Sequence, residues 1–163
     1  MRSNAKNMAL GGIFAALTVV IMSMGGLIPV ATYVCPMLCM MLLSVVLQFC
    51  GKRVALAWYG AVAVLSLLMG PDKEAAAVFA FLGYYPILKP DMDKLPVSWL
   101  WKGLLFNVAV IVMYWLLMHL FGMAELTAEF TELGNVMLGV LLVMGNLIFF
   151  LLDRVLGRFR LKK

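Results

Sequence analysis

The fold of this chain is decided by residues 7–51, which read NMALGGIFAALTVVIMSMGGLIPVATYVCPMLCMMLLSVVLQFCG. No Asp, Glu, Lys, Arg or His occurs in this stretch. It is long enough for two passages through a bilayer, because one helical passage needs about 20 apolar residues. Gly25 and Pro29 lie halfway along it, and proline disfavours helix in the residue before it and has no N–H to donate. The stretch therefore predicts two membrane-spanning helices, at residues 8–27 and 31–50.

The same apolar character returns along the rest of the chain as far as Leu152. Overall, 65% of the residues are hydrophobic and 13% are charged, whereas soluble domains carry about 25% charged residues. This composition excludes a water-soluble globule, and a single cleavable signal peptide does not account for it. Four further spans are predicted at residues 54–70, 74–88, 98–122 and 131–152, followed by a basic tail at residues 153–163. The expected fold is an all-α integral membrane protein, with one transmembrane domain of six helices over residues 1–163.

The placement of charge predicts the orientation of these spans. With both termini in the cytoplasm, twelve of the 13 basic residues lie on the inner side, as the excess of Lys and Arg in cytoplasmic loops requires. The twelve are Arg2, Lys6, Lys52, Arg53, Lys89, Lys94, Lys102, Arg154, Arg158, Arg160, Lys162 and Lys163. Only Lys73 is then outside. The net charge of +5 is thus a topology signal, and it does not require a nucleic-acid partner.

Residue patterns for energy conversion and covalent chemistry are missing from the sequence. It has no nucleotide-binding GxxxxGK[ST] loop, no HExxH and a single His. Cys35 and Cys39 have no His partner in their segment, so a zinc site lacks ligands. His119 with Glu132 is the only acid–base pair that suggests an intramembrane enzyme, and no nucleophile accompanies it. We therefore expect no enzyme activity, no cofactor and no metal.

Polar side chains within the predicted spans are candidate binding residues, because an amide in hydrocarbon needs a partner or a cavity. On the last helix, Asn135 and Asn146 lie eleven residues apart and therefore on nearly the same face. Glu132, Gly139 and Asp153 lie close to that face, which is expected to point into the bundle. Whether it lines a solute cavity or joins helices by hydrogen bonds remains open.

The fifth predicted helix carries two further pairs of this kind. Asn107 and Tyr114 share one of its faces. Trp115 and His119 are one turn apart near the end expected to be outside, where aromatic residues often anchor a helix at the interface.

The first helix contains two overlapping pairs of small residues four apart, Gly11 with Ala15 and Gly12 with Ala16. Such pairs form a flat groove that lets another helix approach closely, and close packing is a main source of helix association in lipid. The groove is expected to bind either another helix of the same bundle or a separate subunit.

Together these features resemble the S components of energy-coupling factor (ECF) transporters. The features are the short basic N-terminus, the small-residue groove, the Gly-Pro break before the second helix, the inner turn Gly51-Lys52-Arg53 and six spans in about 160 residues. S components are substrate-capturing membrane subunits, so the resemblance implies uptake of a vitamin-like solute across a bacterial inner membrane. It also implies that Gly11, Gly12, Ala15 and Ala16 dock on a transmembrane coupling subunit, which two cytoplasmic ATPase subunits energise.

The resemblance further implies a solute site near the outer face. The fitting positions are Tyr33, Tyr114, Trp115, His119, Glu132 and Asn135. The aromatic rings would stack on a flat ring, His119 and Asn135 would hydrogen-bond its edges, and Glu132 would attract a cationic group. Nickel and cobalt members begin with Met-His, whereas this chain begins Met1-Arg2-Ser3, so a metal substrate does not fit.

A different class of function is also open. The few polar groups in the outer half are equally typical of a membrane scaffold or assembly protein, which would hold another membrane protein through the groove and bind no solute.

Overall fold

A computed structural model of the chain describes residues 2–24, 31–119 and 124–158, with side chains at all of these except residues 2–5, 7, 124–135, 137 and 138. The described residues form seven α-helices and contain no β-strand, so the all-α class is confirmed. The helices are α1 (Arg2–Ser23), α2 (Ala31–Cys50), α3 (Lys52–Met69), α4 (Lys73–Leu82), α5 (Tyr85–Met92), α6 (Ser98–His119) and α7 (Ala124–Arg158).

Four stretches of these helices are long and apolar enough to cross a membrane. They are α2, α3, α6 and the Gly139–Arg158 part of α7. The apolar part of α1, Met8–Ser23, is somewhat shorter. The chain is therefore suited to be a multi-pass membrane protein in contact with lipid.

Internal contacts divide the chain into two compact units, Met1–Asp93 and Lys94–Lys163, where the sequence suggested a single domain. The first unit contains α1 to α5, with α1 packed on α2 and α3, and α2 packed also on α4. The second unit contains α6 packed on α7. The boundary falls in the segment between α5 and α6, whose apolar side chains Leu95 and Val97 are exposed and therefore do not join it to a core.

The turn between α2 and α3 consists of Gly51 alone. Gly51 has a φ of 84°, a left-handed conformation that glycine adopts without steric cost. Its N–H donates to the Leu47 carbonyl at 3.2 Å, and its own carbonyl accepts from the Ala55 N–H at 3.0 Å. One glycine thus ends α2 and begins α3, so α3 starts two residues earlier than the predicted residue 54.

The prediction of a single helix over residues 74–88, the fourth span, is wrong. The structure has two short helices there, α4 and α5, separated at Gly83 and Tyr84. Pro86 lies in the first turn of α5, where the missing N–H is tolerated, but it cannot donate to the Leu82 carbonyl as a continuous helix would require. The break is therefore a direct consequence of Pro86.

Taken together, α4 and α5 run from one end of the first unit to the other. The Thr32 hydroxyl donates to the Asp72 carboxylate at 2.7 Å, which places the beginning of α4 beside the beginning of α2. Lys52 and Asp91 form an ion pair at 2.9 Å, which places the end of α5 beside the beginning of α3. We call these the Asp72 end and the Lys52 end of the first unit.

Three other helix boundaries differ from the sequence-based expectation. The first helix already begins at Arg2, because nothing in the polar residues before Met8 breaks a helix. The last helix covers Ala124–Arg158 instead of residues 131–152, since no proline interrupts it. For α6, predicted as residues 98–122, the described part ends at His119, and residues 120–123 lie outside the described residues.

Candidate functional site

The two small-residue pairs of α1 point in different directions. Gly11 is buried, and its carbonyl accepts a hydrogen bond from the Trp58 indole N–H of α3 at 3.0 Å. Ala15, one turn later, is half-buried. This half of the predicted groove is therefore a contact inside the first unit.

The other half of the groove, Gly12 and Ala16, is exposed. A Cβ atom added to Gly12 would meet nothing within 4 Å. Exposed apolar side chains flank the pair, with Ile13 at 67% and Val20 at 58% of their full exposure. Gly12 and Ala16 thus form a shallow apolar strip, the α1 strip, that no described residue covers.

Tyr33 lies at the Asp72 end of the first unit, where acidic side chains hold α2 to α4. Its hydroxyl donates to the Glu74 carboxylate at 2.8 Å. Its neighbour Thr32 donates to Asp72, whose other carboxylate oxygen accepts the Ala75 N–H at 2.9 Å as the N-cap of α4. The Asp72 end therefore combines a part-exposed phenol ring with two carboxylates.

A buried hydroxyl lies one turn before the same end. Ser66 of α3 is 1% exposed, and its side-chain oxygen has no hydrogen-bond partner among the described residues. A buried, unsatisfied hydroxyl is unfavourable. Ser66 was not anticipated from the sequence, because a single Ser within an apolar span carries no distinguishing pattern.

The predicted aromatic residues of α6 do not share one face. Tyr114 is 3% exposed, whereas Trp115 is 58% exposed. The Trp115 and His119 rings are stacked, with centroids 4.8 Å apart, and His119 Nδ1 lies 3.0 Å from the Trp115 carbonyl oxygen. Trp115 and His119 thus form an exposed aromatic pair, while Tyr114 is part of the packed interior.

Two of the six predicted solute residues, Glu132 and Asn135, lie outside the residues whose side chains are described. Of the other four, Tyr33 belongs to the first unit and Tyr114, Trp115 and His119 belong to the second.

Polar side chains within the second unit pair with each other. The amides of Asn107 and Asn146 exchange two hydrogen bonds, of 2.8 and 3.3 Å. Each amide also donates to a carbonyl four residues earlier in its own helix. The polar stripe of the last helix therefore faces α6 at Asn146, and this residue joins the two helices.

The same unit contains a second pair, Lys102 with Asp153, which was not predicted from the sequence. The Lys102 ammonium lies 3.1 and 3.3 Å from the two oxygens of the Asp153 carboxylate. The two side chains are only 6% and 18% exposed. A signal was available, because Asp153 lies seven residues after Asn146 and hence on the same helix face.

A tyrosine of α3 hydrogen-bonds to the backbone beside the break between α4 and α5. The Tyr59 hydroxyl donates to the Ala80 carbonyl, and the Tyr59 ring contacts the rings of Phe79 and Tyr84. A backbone carbonyl that loses its helical N–H partner within a membrane must find another partner within the protein. Tyr59 is that partner for a carbonyl at this break.

Metal-ligating side chains do not gather in the described part of the chain, where no three of His, Cys, Asp and Glu lie together. Cys35, Cys39 and Cys50 form no disulfide, and the first two are buried. Comparison of the chain with models of protein families, with curated proteins and with solved structures finds no match.

Proposed function

We propose that this chain is the solute-capturing membrane subunit of an uptake transporter of the ECF type, and that it docks on a transmembrane coupling subunit through the α1 strip. The observation that carries this proposal is the exposure of Gly12 and Ala16 in the middle of an apolar helix. Small residues with open space above them let a second helix approach to backbone distance. Energy would come from ATPase subunits, since this sequence has no nucleotide-binding loop.

The proposed topology has six crossings with both termini in the cytoplasm. Five crossings are α1, α2, α3, α6 and α7. The sixth is the broken pair α4 and α5, which runs from the Asp72 end to the Lys52 end of the first unit. In this topology the Lys52 end is cytoplasmic, in agreement with the excess of basic residues there.

Labelling of single cysteines tests this topology. In a background without Cys35, Cys39 and Cys50, a thiol reagent that cannot cross membranes should label Met69→Cys in intact cells and should label Lys52→Cys only after lysis. Both positions are exposed at opposite ends of α3, so access to the side chain itself is matched. Equal labelling of the two positions in intact cells contradicts the topology.

The proposed solute site is at the Asp72 end of the first unit, which is the outer end in this topology. The buried Ser66 hydroxyl and the Tyr33–Glu74 pair support it, because they supply an unsatisfied polar group, an aromatic ring and a negative charge. These groups suit a flat, vitamin-like ring that carries a cationic substituent.

Substitution of the α1 strip tests docking. Gly12→Leu and Ala16→Leu should each reduce the coupling subunit that co-purifies from native membranes by about tenfold, equivalent to about 1.4 kcal/mol of association energy. A bulky side chain blocks close approach of a helix without exposing a polar group. The melting temperature of the isolated chain in detergent should stay unchanged.

Gly60→Leu is the matched control, because Gly60 also has open space where a Cβ would lie but belongs to α3. The Gly60→Leu variant should co-purify with as much coupling subunit as the wild type does. If Gly12→Leu and Ala16→Leu instead prevent folding of the isolated chain, the strip is an internal contact and the docking proposal fails.

The alternative function, a membrane scaffold that binds another membrane protein and no solute, is favoured by a separate observation. Asn107 and Asn146, which could have faced a cavity, bond to each other, and the hydroxyl of the predicted solute residue Tyr33 is bonded to Glu74. Mass spectrometry of small molecules that co-purify with the solubilised chain distinguishes the two functions. A reproducible bound ring compound supports capture, and a partner protein retained without any small molecule supports the scaffold.

A further inference from the structure

One end of the second unit combines basic and aromatic side chains on its surface. The Lys102–Asp153 pair places the beginning of α6 beside the end of α7. Trp99 and Trp101 are 64% and 50% exposed in the first turn of α6. We call this region, with Arg154 and Arg158 of α7, the basic-aromatic end.

Two arginines contribute positive charge at this end. Asp153 is the nearest carboxylate in sequence, and its charge is already compensated by the buried Lys102. Arg154 and Arg158 are exposed. Within the described ranges, neither has a hydrogen bond or an ion pair with another residue. Both guanidinium groups are therefore available to an anion.

The arginines continue an apolar stripe along α7. Leu147, Leu151, Arg154 and Arg158 are spaced by four, three and four residues, which places them within about 60° of one helix face. Leu147 and Leu151 are 57% and 56% exposed. The face therefore changes from apolar to basic along its length, in the same order as the acyl chains and the phosphate of a phospholipid.

We propose that this face binds an anionic phospholipid, with its phosphate between Arg154 and Arg158 and its acyl chains along Leu147 and Leu151. Guanidinium groups bind phosphate oxygens in a planar, two-pronged geometry. Trp99 and Trp101 lie at the same end, and tryptophan indoles prefer the headgroup level of a bilayer. The apolar half of the face selects a lipid over free phosphate, which has nothing to place there.

Native mass spectrometry of the detergent-solubilised chain, titrated with phosphatidylglycerol or with phosphatidylcholine, tests this proposal. The wild type should bind phosphatidylglycerol at least tenfold more tightly than phosphatidylcholine. Arg154→Gln/Arg158→Gln should weaken phosphatidylglycerol binding by about 30-fold, and each single substitution by about fivefold, the effect expected for one cation at a membrane surface.

The matched control is Lys6→Gln/Arg53→Gln, which also removes two exposed basic charges but from the first unit. It should bind phosphatidylglycerol as the wild type does. Equal loss of binding in the two double variants overturns the proposal, because the effect would then follow net charge alone. If the arginine double variant does not fold, the two single variants and the wild-type comparison decide. A wild type without preference for phosphatidylglycerol, or single variants that bind it unchanged, also overturns the proposal.

Discussion

Asp153→Asn is expected to lower the free energy of unfolding by about 3–5 kcal/mol, the usual cost of removing one partner of a buried ion pair. The cost arises at Lys102, because its side chain is only 6% exposed and would lose the Asp153 carboxylate. Reversible unfolding in mixed micelles, followed by circular dichroism, measures the change.

Two comparisons show whether burial is the cause. Asp91→Asn removes the carboxylate of another Lys–Asp pair, whose side chains are 58% and 56% exposed, and it should cost less than about 1 kcal/mol. The double variant Lys102→Met/Asp153→Leu should recover most of the lost stability, because it leaves no buried charge unpaired. Similar losses for Asp153→Asn and Asp91→Asn would show that the Lys102 pair is not desolvated.

Asp72→Ala is expected to lower the free energy of unfolding by about 2 kcal/mol. The Asp72 carboxylate caps α4 through the Ala75 N–H and also accepts the hydrogen bond of the Thr32 hydroxyl. Loss of an N-cap costs about 1 kcal/mol, and a hydroxyl left without its partner adds a similar amount. Thermal unfolding in detergent measures the sum.

Asp72→Asn is the matched control, since an asparagine oxygen caps a helix about as well as a carboxylate and its amide can still pair with Thr32. It should stay within about 0.5 kcal/mol of the wild type, well inside the loss expected for Asp72→Ala. If the alanine and asparagine variants are equally stable, neither contact of Asp72 contributes to the fold.

For the candidate site, the sequence predicted which residues share one face of a helix, but not which residues of other helices they contact. The spacing of Asn146 and Asp153 placed both on one inward face, and the contacts to α6 confirm this. The partners of that face were not predictable, because a helical period gives the direction of a side chain within its own helix and says nothing about which helix lies opposite. The same limit applies to α1, where adjacent glycines differ in burial although their sequence pattern is shared.

The sequence by itself determined that the chain is all-helical and suited to several passages through a membrane. The reason is that long uncharged stretches admit only structures whose backbone hydrogen bonds are satisfied within the segment. Only the tertiary structure decided that α4 and α5 together make one path across the first unit, that Gly11 is buried while Gly12 is exposed, and that Lys102 compensates Asp153. Each of these depends on distances between residues far apart in the chain, and such distances arise from packing between helices.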